Sequence, residues 1–392
     1  MTTPAASGES ALLPAGLADL LSPAAEREAS SVERLIRHFA GFGYERVKPP
    51  LIEFESSLLA GAGAAVAEQT FRLMDPVSQR MLGLRADMTP QIARIAAFRL
   101  AKAPRPLRLC YAGQVLRVTG SQLRPERQFG QVGAELIGSD SSAADVEVAV
   151  AAAGALASLG IAGLTLDLSL PTLVPALAKT LAMPAPAVAA LRQALDRKDE
   201  AAVAAAAGPE AKTFVGLLRA AGPAEPALAA LSKMTVPPLL ASEVARLSAV
   251  ARAIAAAAPA LSVTIDPVEH RGYEYHSGLS FTLFARAVRG ELGRGGRYRA
   301  QRTDGADEPA TGFTLFMDTV IAALPAPRSL ARLFLPFGAP PEEGARLREQ
   351  GWLVLAGLAK AENDAAEARR LGCTHLWRER GVETLVEEGE GA

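Results

Sequence analysis

Residues 108–138 read RLCYAGQVLRVTGSQLRPERQFGQVGAELIG, and this stretch decides the fold. Two runs rich in apolar residues, at 108–118 and 127–138, have the length and composition of β-strands. The polar sequence SQLRPE (121–126) lies between them and is typical of a connecting loop. The stretch therefore predicts two adjacent strands of one sheet.

The second of these strands has an unusual polar face. Gln131, Gly133 and Glu135 share that face, because successive side chains of a strand point to opposite sides of the sheet. A sheet that serves only packing seldom places such residues together, so the pattern indicates a polar binding site. Ordinary internal ion pairs would explain the same residues, and the pattern alone leaves both interpretations open.

The region before this stretch predicts a helix, an edge strand, a hairpin and a second helix. Apolar residues recur at helical spacing over 31–42, and the alternating residues 44–53 stop at two prolines, which suits an edge strand. Residues 71–85 read as a hairpin with its turn at 75–78, so we expect a largely antiparallel sheet. Thr89 is the predicted N-cap of a helix that has Pro90 at its first position.

The rest of the chain predicts the domain organisation. Residues 171–258 are rich in Ala, Leu and Pro at helical spacing and predict an inserted helical subdomain. Strand patterns return at 261, GRGGRY (293–298) predicts a tight turn that closes the site, and strands and helices alternate from 331 onward. The predicted division is a core of residues 1–170 and 259–325, a helical insertion at 171–258, and a small α/β unit at 326–392.

Composition excludes several classes of function. The chain has 41 Lys and Arg against 42 Asp and Glu, so its net charge of -1 provides no general attraction for nucleic acid. Its two cysteines form no metal-ligand spacing, and they suit a reducing cytoplasm. The N-terminus lacks the pattern of a signal peptide, and the uncharged residues 148–166 contain glycines that predict a helix followed by a strand. We therefore expect a cytoplasmic protein with no membrane role and no metal.

A second cluster of polar and aromatic residues occurs in HRGYEYHSGLSF (270–281). It contains two of the four histidines and two of the five tyrosines, together with Arg271. Aromatic residues at a period of two are usually packing residues of a strand, so a hydrogen-bonded core strand is one interpretation. A ligand pocket that includes Arg271, Tyr275 and His276 is the other.

The order of these motifs resembles the core of histidyl-tRNA synthetases over about residues 10–325. The resemblance is carried by YERVKPP, LRADMTP, VLRVTG with ERQFGQVGAE, RGYEYHSG, GRGGRY and GFTLFMD, in that order. It implies an α+β fold of the class II aminoacyl-tRNA synthetase type, with a mostly antiparallel sheet. It also implies a histidine-type pocket formed by Asp87, Thr89, Arg117, Gln131, Glu135, Arg271, Tyr275 and His276.

Departures from the synthetase motifs indicate that amino-acid activation has been lost. Thr119 stands where those enzymes need a glutamate, and Thr319 stands where they need an arginine that clamps the triphosphate. Phe316 replaces a glycine at which the backbone approaches the nucleotide, His276 replaces a tyrosine of the pocket, and Arg299 follows GGRY where an aspartate is expected. The short, glutamate-rich C-terminal part also gives poor support to anticodon binding, so no tRNA partner is expected.

A synthetase-like chain without these catalytic parts resembles the regulatory subunits of ATP phosphoribosyltransferase. The resemblance implies a chain without catalytic residues or a cofactor, which forms a hetero-octamer with the catalytic subunit HisG and supports the first step of histidine biosynthesis. It further implies that histidine acts as an effector, and that the chain first pairs with itself as a homodimer. A divergent histidyl-tRNA synthetase and a stand-alone amino-acid-binding paralogue remain as alternatives.

Overall fold

The computed structural model describes residues 12–121, 124–234, 237–269, 276–325, 331–379 and 381–385. Its helices are α1 (Ala24–Gly41), α2 (Glu55–Leu58), α3 (Thr89–Arg94), α4 (Ser142–Ser158), α5 (Leu173–Thr180), α6 (Ala185–Asp196), α7 (Glu200–Ala207), α8 (Ala211–Arg219), α9 (Ala224–Leu231), α10 (Pro238–Ala257), α11 (Met317–Ala323), α12 (Pro341–Glu349) and α13 (Asp364–Arg370). A 3₁₀ segment covers Gly61–Gln69, another covers Gly208–Glu210, and a π-helical turn at Ile95–Arg99 continues α3.

The strands are β1 (Glu45–Arg46), β2 (Ile52–Phe54), β3 (Arg72–Met74), β4 (Met81–Leu84), β5 (Leu107–Leu116), β6 (Gln128–Ile137), β7 (Leu164–Ser169), β8 (Gly222–Pro223), β9 (Ser262–Asp266), β10 (His276–Ala285), β11 (Gly293–Gln301), β12 (Asp307–Phe316), β13 (Arg332–Leu335), β14 (Leu353–Ala356), β15 (His375–Arg378) and β16 (Gly381–Thr384). The described residues form two compact units, which meet in the sequence at Leu324 and Pro325.

The first unit is built on a nine-stranded sheet with the order β1-β5-β6-β12-β11-β10-β7-β9-β8. The six strands from β5 to β7 in this order are all antiparallel, while β1 joins β5 and β9 joins β7 in parallel. The expected α+β fold with a mostly antiparallel sheet is therefore confirmed. The predicted strand pair of residues 108–138 is also confirmed, since β5 and β6 are antiparallel partners, and the two-residue β1 lies at the sheet edge as predicted.

The core of this unit forms where helices cover the sheet. Helix α1 buries Leu35, Ile36 and Phe39. They share one face of the helix because Leu35 and Ile36 lie about one helical turn before Phe39. The ring of Phe39 meets the ring of Phe313 on β12 edge to face, with 5.2 Å between the ring centroids. Helix α4 is rich in alanine and packs against the same core, so α1 and α4 cover one face of the sheet.

Residues 148–166 contain the end of α4 and the start of β7, as the sequence predicted. Within the described ranges, the helices are all too short or too polar to cross a membrane. The helices α5–α10 occupy the segment predicted to be an insertion, and their buried residues, such as Leu191 and Phe214, join the hydrophobic core of the main sheet. The division at residues 171 and 258 stays a prediction.

Two local predictions need correction or refinement. The predicted hairpin at 71–85 is confirmed, but its strands belong to a separate sheet of order β2-β4-β3. The predicted turn at GRGGRY is wrong, because these residues lie in β11 in the middle of the main sheet. A side chain is excluded at Gly295, since a Cβ atom there would lie 2.4 Å from the carbonyl oxygen of Gly312 and 2.5 Å from the ring of Phe281. The glycines therefore permit close packing within a strand.

The second unit is a small α/β sheet of order β14-β13-β15-β16. Strands β13, β14 and β15 are parallel, and β16 is antiparallel to β15. Helices α12 and α13 connect the parallel strands, which is the usual crossover for such a sheet. The alternation of strands and helices predicted from residue 331 onward is therefore present.

We expect Phe39→Ala to lower the free energy of unfolding of the first unit by about 3–5 kcal/mol, because it leaves a cavity between α1 and β12. Denaturant unfolding followed by circular dichroism measures the change. Phe98→Ala is the matched control, since Phe98 is 65% exposed and its truncation is expected to change stability by about 0.5 kcal/mol or less. Equal losses in the two variants would contradict the assignment of Phe39 to the core.

Candidate functional site

A cavity of about 150 Å³ opens on the main sheet beside the 3₁₀ segment Gly61–Gln69. Its lining combines side chains from β6, β10, β11 and β12 with residues from the loop before α3. The lining residues are Ala65, Val66, Gln69, Asp87, Thr89, Arg117, Glu135, His276, Arg294, Gly295, Gly296, Tyr298, Gly312, Phe313, Thr314 and Phe316. Five of the eight predicted pocket residues are among them, namely Asp87, Thr89, Arg117, Glu135 and His276.

Glu135 lies at the base of the cavity and is only 1% exposed. Its Oε1 atom accepts hydrogen bonds from Thr89 Oγ1 at 3.1 Å and from the Tyr111 hydroxyl at 3.2 Å. Burial raises the pKa of Glu135 to about 8, and hydroxyl groups, including those of Tyr298 and Thr89, oppose this rise. A cation that enters the cavity would favour the ionised carboxylate.

The backbone beside Glu135 is shaped to fit this carboxylate. A Cβ atom at Gly312, on the neighbouring strand β12, would lie 1.7 Å from Glu135 Oε2. No other residue type leaves room there without moving the carboxylate. Gly312 is therefore required by the position of the glutamate.

Asp87 and Gln131 form a second polar layer. The Gln131 amide oxygen accepts a hydrogen bond from the backbone N–H of Met88 at 3.0 Å, and its Nε2 atom donates to Asp87 Oδ2 at 3.4 Å. Gln131 is fully buried and is absent from the cavity lining, in contrast to its predicted role as a lining residue. Its contacts hold Asp87 and the start of α3 in place.

The predicted N-cap role of Thr89 is wrong. Helix α3 begins at Thr89 itself, and the carboxylate of Asp87 accepts a hydrogen bond from the Thr89 backbone N–H at 2.8 Å. The Thr89 hydroxyl donates to Glu135. The N-cap position is Met88, which makes no side-chain capping hydrogen bond, so the sequence pattern placed the cap one residue too late.

Arg117 supplies positive charge at the cavity wall. Its Nε atom donates to the carbonyl oxygen of Ala86 at 3.4 Å, and it forms no ion pair with a carboxylate of the described residues. Burial lowers the pKa of this guanidinium, and the nearby charge of Asp87 opposes the change. Arg117 is therefore positioned to hold a carboxylate.

His276 completes the described part of the predicted pocket. It is 8% exposed at the first position of β10 and pairs with Tyr298 of β11. A Cβ atom at Gly296, where φ is +154°, would lie 2.6 Å from the His276 ring, so the two strands approach closely here. The other two predicted residues, Arg271 and Tyr275, lie outside the described residues.

The positions that depart from the synthetase motifs, Phe316, Thr319 and Thr119, make contacts with neighbouring side chains. Phe316 is 2% exposed, and the guanidinium of Arg124 stacks on its ring with 3.9 Å from Cζ to the ring centroid. Arg124 also pairs with Asp318 at 2.7 Å and contacts the Thr319 hydroxyl at 3.4 Å. Thr119 is held by Gln69, whose Oε1 accepts from the Thr119 hydroxyl at 3.2 Å.

Several cavity residues were missed by sequence reasoning. Tyr298 and Arg294 belong to GRGGRY, which was interpreted as a turn, so their side chains were not assigned to the sheet face. Tyr111 supports Glu135 from β5, across the register pair of Tyr111 and Gly133. Gly133 leaves room for the Tyr111 side chain on the neighbouring strand. The sequence shows that this residue is small, but only the strand register shows that it lies opposite Tyr111.

The arrangement suits a zwitterionic ligand. Two carboxylates, of Asp87 and Glu135, can pair with an ammonium or another cation, while Arg117 can pair with a carboxylate. Burial of such polar groups costs less when they are hydrogen-bonded, and Thr89 and Tyr111 supply two hydrogen bonds to one oxygen of Glu135. Among the residues that the structure describes, no cluster of three His, Cys, Asp or Glu side chains could hold a metal ion.

Comparison with known proteins identifies the fold and the family. The family model described as histidyl-tRNA synthetase matches residues 16–320. An ATP phosphoribosyltransferase regulatory subunit from Rhodospirillum centenum is 58% identical over 96% of this chain and 97% of its own length. A crystal structure from Bacillus halodurans C, described as an ATP phosphoribosyltransferase regulatory subunit/histidyl-tRNA synthetase, has a TM-score of 0.77 and 22% identity and covers 92% of this chain and 96% of its own.

A further solved structure is the ATP phosphoribosyl transferase (HisG:HisZ) complex from Thermotoga maritima. The matched chain has a TM-score of 0.59 and 16% identity, and the match covers 74% of this chain and 97% of that one. These structural likenesses establish a histidyl-tRNA synthetase-like fold. Within that class, the chain belongs to the family of ATP phosphoribosyltransferase regulatory subunits.

We expect the stability of the first unit to depend on pH through Glu135. The folded state keeps this carboxyl protonated up to a pKa of about 8, whereas the unfolded chain loses the proton near its ordinary value of 4.5. The free energy of unfolding should therefore fall as the pH rises from about 5 to about 8, by at most about 1.4 kcal/mol per pH unit. Glu135→Gln should remove this part of the pH dependence.

Denaturant unfolding of both proteins across this pH range measures the effect. Glu33→Gln is the control, because the Glu33 side chain is 58% exposed on α1 of the same unit. A pH profile for Glu135→Gln that parallels the profiles of the wild type and the control would contradict the burial of a protonated Glu135.

Proposed function

We propose that this chain is the non-catalytic regulatory subunit that the catalytic subunit HisG requires to join ATP to phosphoribosyl pyrophosphate, in the first step of histidine biosynthesis. The observation that carries the proposal is the 58% identity to a relative of that name over nearly the whole of both chains. The Thermotoga maritima complex, whose matched chain has the same fold, supports a catalytic partner of the HisG kind.

The filled space around Phe316 supports the lack of synthetase activity. Adenylate formation needs room for a nucleotide and cations that are free to meet its phosphates. Here Phe316 occupies that side of the cavity, and Arg124 is engaged by Asp318 and by the Phe316 ring. These contacts support the proposal that the chain has an amino-acid-type cavity without an adjoining nucleotide site.

We further propose that histidine binds in this cavity as the feedback effector. Glu135 and Asp87 would meet its ammonium and imidazole groups, Arg117 would meet its carboxylate, and Thr89 and Gln131 would position the two acids. Arg271, Tyr275 and His276 would complete the pocket. We also propose that the chain forms a homodimer, that it assembles with HisG as a hetero-octamer in the cytoplasm, and that residues 171–258 act as an insertion between the parts of the core.

Addition of this chain to the cognate HisG is expected to raise phosphoribosyl-ATP formation well above the rate of HisG alone. The chain alone is expected to give no histidine-dependent exchange of pyrophosphate into ATP, because its nucleotide site is filled. Both rates should be measured on the same preparation. Exchange without any effect on HisG would mean that the chain is a divergent histidyl-tRNA synthetase, an alternative that the family model favours.

Arg117→Met should raise the Kd for histidine about tenfold or more, because a charge-assisted hydrogen bond to the ligand carboxylate is lost. Isothermal titration calorimetry measures the Kd, and stimulation of HisG without histidine should persist. Arg99→Met is the control, since Arg99 is exposed at the end of the π-helical turn and is absent from the cavity lining. Unchanged affinity in Arg117→Met would argue against this orientation of the ligand.

A further inference from the structure

A network of ion pairs lies on the opposite side of β11 from the cavity, in which Arg297 and Asp145 are buried and Asp140 is exposed. Gly296 and Tyr298 face the cavity, while Arg297 between them points to the other face, where its side chain is only 7% exposed. Its Nε atom lies 2.8 Å from Asp145 Oδ1, and its Nη1 atom lies 2.9 Å from Asp140 Oδ1. Arg297 thus links β11, which lines the cavity, to the N-terminal end of α4.

Helix α10 of the helical segment takes part in the same network. Arg246 donates from Nη1 to the carbonyl oxygen of Asp140 at 2.9 Å, and the same nitrogen lies 3.6 Å from Asp145 Oδ2. Asp145, which is 1% exposed, is therefore shared by one arginine from the sheet and one from the helical segment. Two arginines offset the cost of burying a single carboxylate.

The network lies next to an irregular stretch of the β10 and β11 pair, beside Gly296. A Cβ atom at Gly296 would be within 2.7 Å of Ser280, and the register of the two strands is irregular between His276 and Ser280. The Glu243 carboxylate of α10 lies 3.7 Å from the Cβ position of Gly278 in this same irregular stretch. Small displacements of α10 would therefore be passed to the cavity wall.

We propose that the ion pairs of Arg246 and Arg297 with Asp140 and Asp145 form a positioning device, through which helix α10 sets the position of β11 and hence the affinity of the histidine-type cavity. This rests on the proposed histidine binding. Arg246 and Asp145 are absent from the cavity lining, so they act through the strand as positioning residues. The device links the helical segment 171–258 to the regulatory ligand.

The test uses the full chain and the variant Arg246→Met, with Arg246→Lys as the conservative variant. Arg108→Met is the matched control, because it removes a partly buried ion pair to the same helix α4, where Arg108 lies 2.7 Å from Glu147. Arg252→Met, which removes an exposed arginine of α10, controls for the loss of charge. Thermal unfolding establishes that each variant folds, and calorimetry gives its Kd for histidine.

Arg246→Met is expected to raise the Kd for histidine by about fivefold or more, the size of a typical coupling between sites, with partial recovery in Arg246→Lys. Arg108→Met and Arg252→Met are expected to leave the Kd unchanged even where the melting temperature falls. A Kd for Arg246→Met equal to the wild-type value, or a rise matched by Arg108→Met, would overturn the proposal.

Amide hydrogen exchange of β10 and β11 in the ligand-free chain separates this proposal from the proposed function. If the wild-type chain binds no histidine, the effector assignment fails, but the positioning role is still decided by exchange. Exchange in β10 and β11 that is faster in Arg246→Met than in Arg108→Met would support the device. Equal exchange in the two variants would overturn it.

Discussion

The structure depends on the burial of one carboxylate, that of Glu135, in the middle of an antiparallel sheet. An unpaired carboxylate at such a depth would be strongly destabilising, so the surrounding residues are arranged to give it hydrogen bonds and space. Thr89 and Tyr111 supply the donors, and Gly312 on the next strand leaves room for the second oxygen. The start of α3, strand β5 and Gly312 of β12 all contact this one carboxyl group, so its burial constrains their positions.

The cavity lining contains both the polar groups around Glu135 and the aromatic ring of Phe316. The polar residues that suit a zwitterion are retained around Glu135, whereas the adjoining space contains Phe316 and an arginine already engaged by Asp318. A buried aromatic ring stacked on a guanidinium is a favourable contact in its own right. Arg124 therefore stabilises the end of β12 through its contacts with Phe316 and Asp318.

A regulatory chain needs a ligand site whose geometry can be influenced from a distance. One face of β11 lines the cavity, and on the other face Arg297 pairs with Asp145 of α4, which also pairs with Arg246 of α10. Buried ion pairs depend steeply on geometry, since each partner loses its hydration on burial. A strand held in this way transmits displacement more directly than one held by apolar contacts alone.

The sequence by itself determined the antiparallel core, the hairpin at 71–85, the helix-then-strand character of residues 148–166 and the alternation that follows residue 331. These features depend on local periodicity and on turn residues, which act over a few positions. Family motifs also placed Asp87, Arg117 and Glu135 together in one predicted pocket, and Thr119, Phe316 and Thr319 as departures from the synthetase pattern. The cavity lining includes Asp87, Arg117, Glu135 and Phe316.

Only the tertiary structure decided which residues meet across strands. The three glycines of GRGGRY are typical of a turn, yet these residues pair with β10 on one side and β12 on the other and form a central strand. A side chain at any of the three glycine positions would clash with neighbouring strands. The support of Glu135 by Tyr111 and the sharing of Asp145 by Arg297 and Arg246 join residues at positions set by strand register and helix packing. Such contacts bring together groups far apart in the chain, so no local pattern contains them.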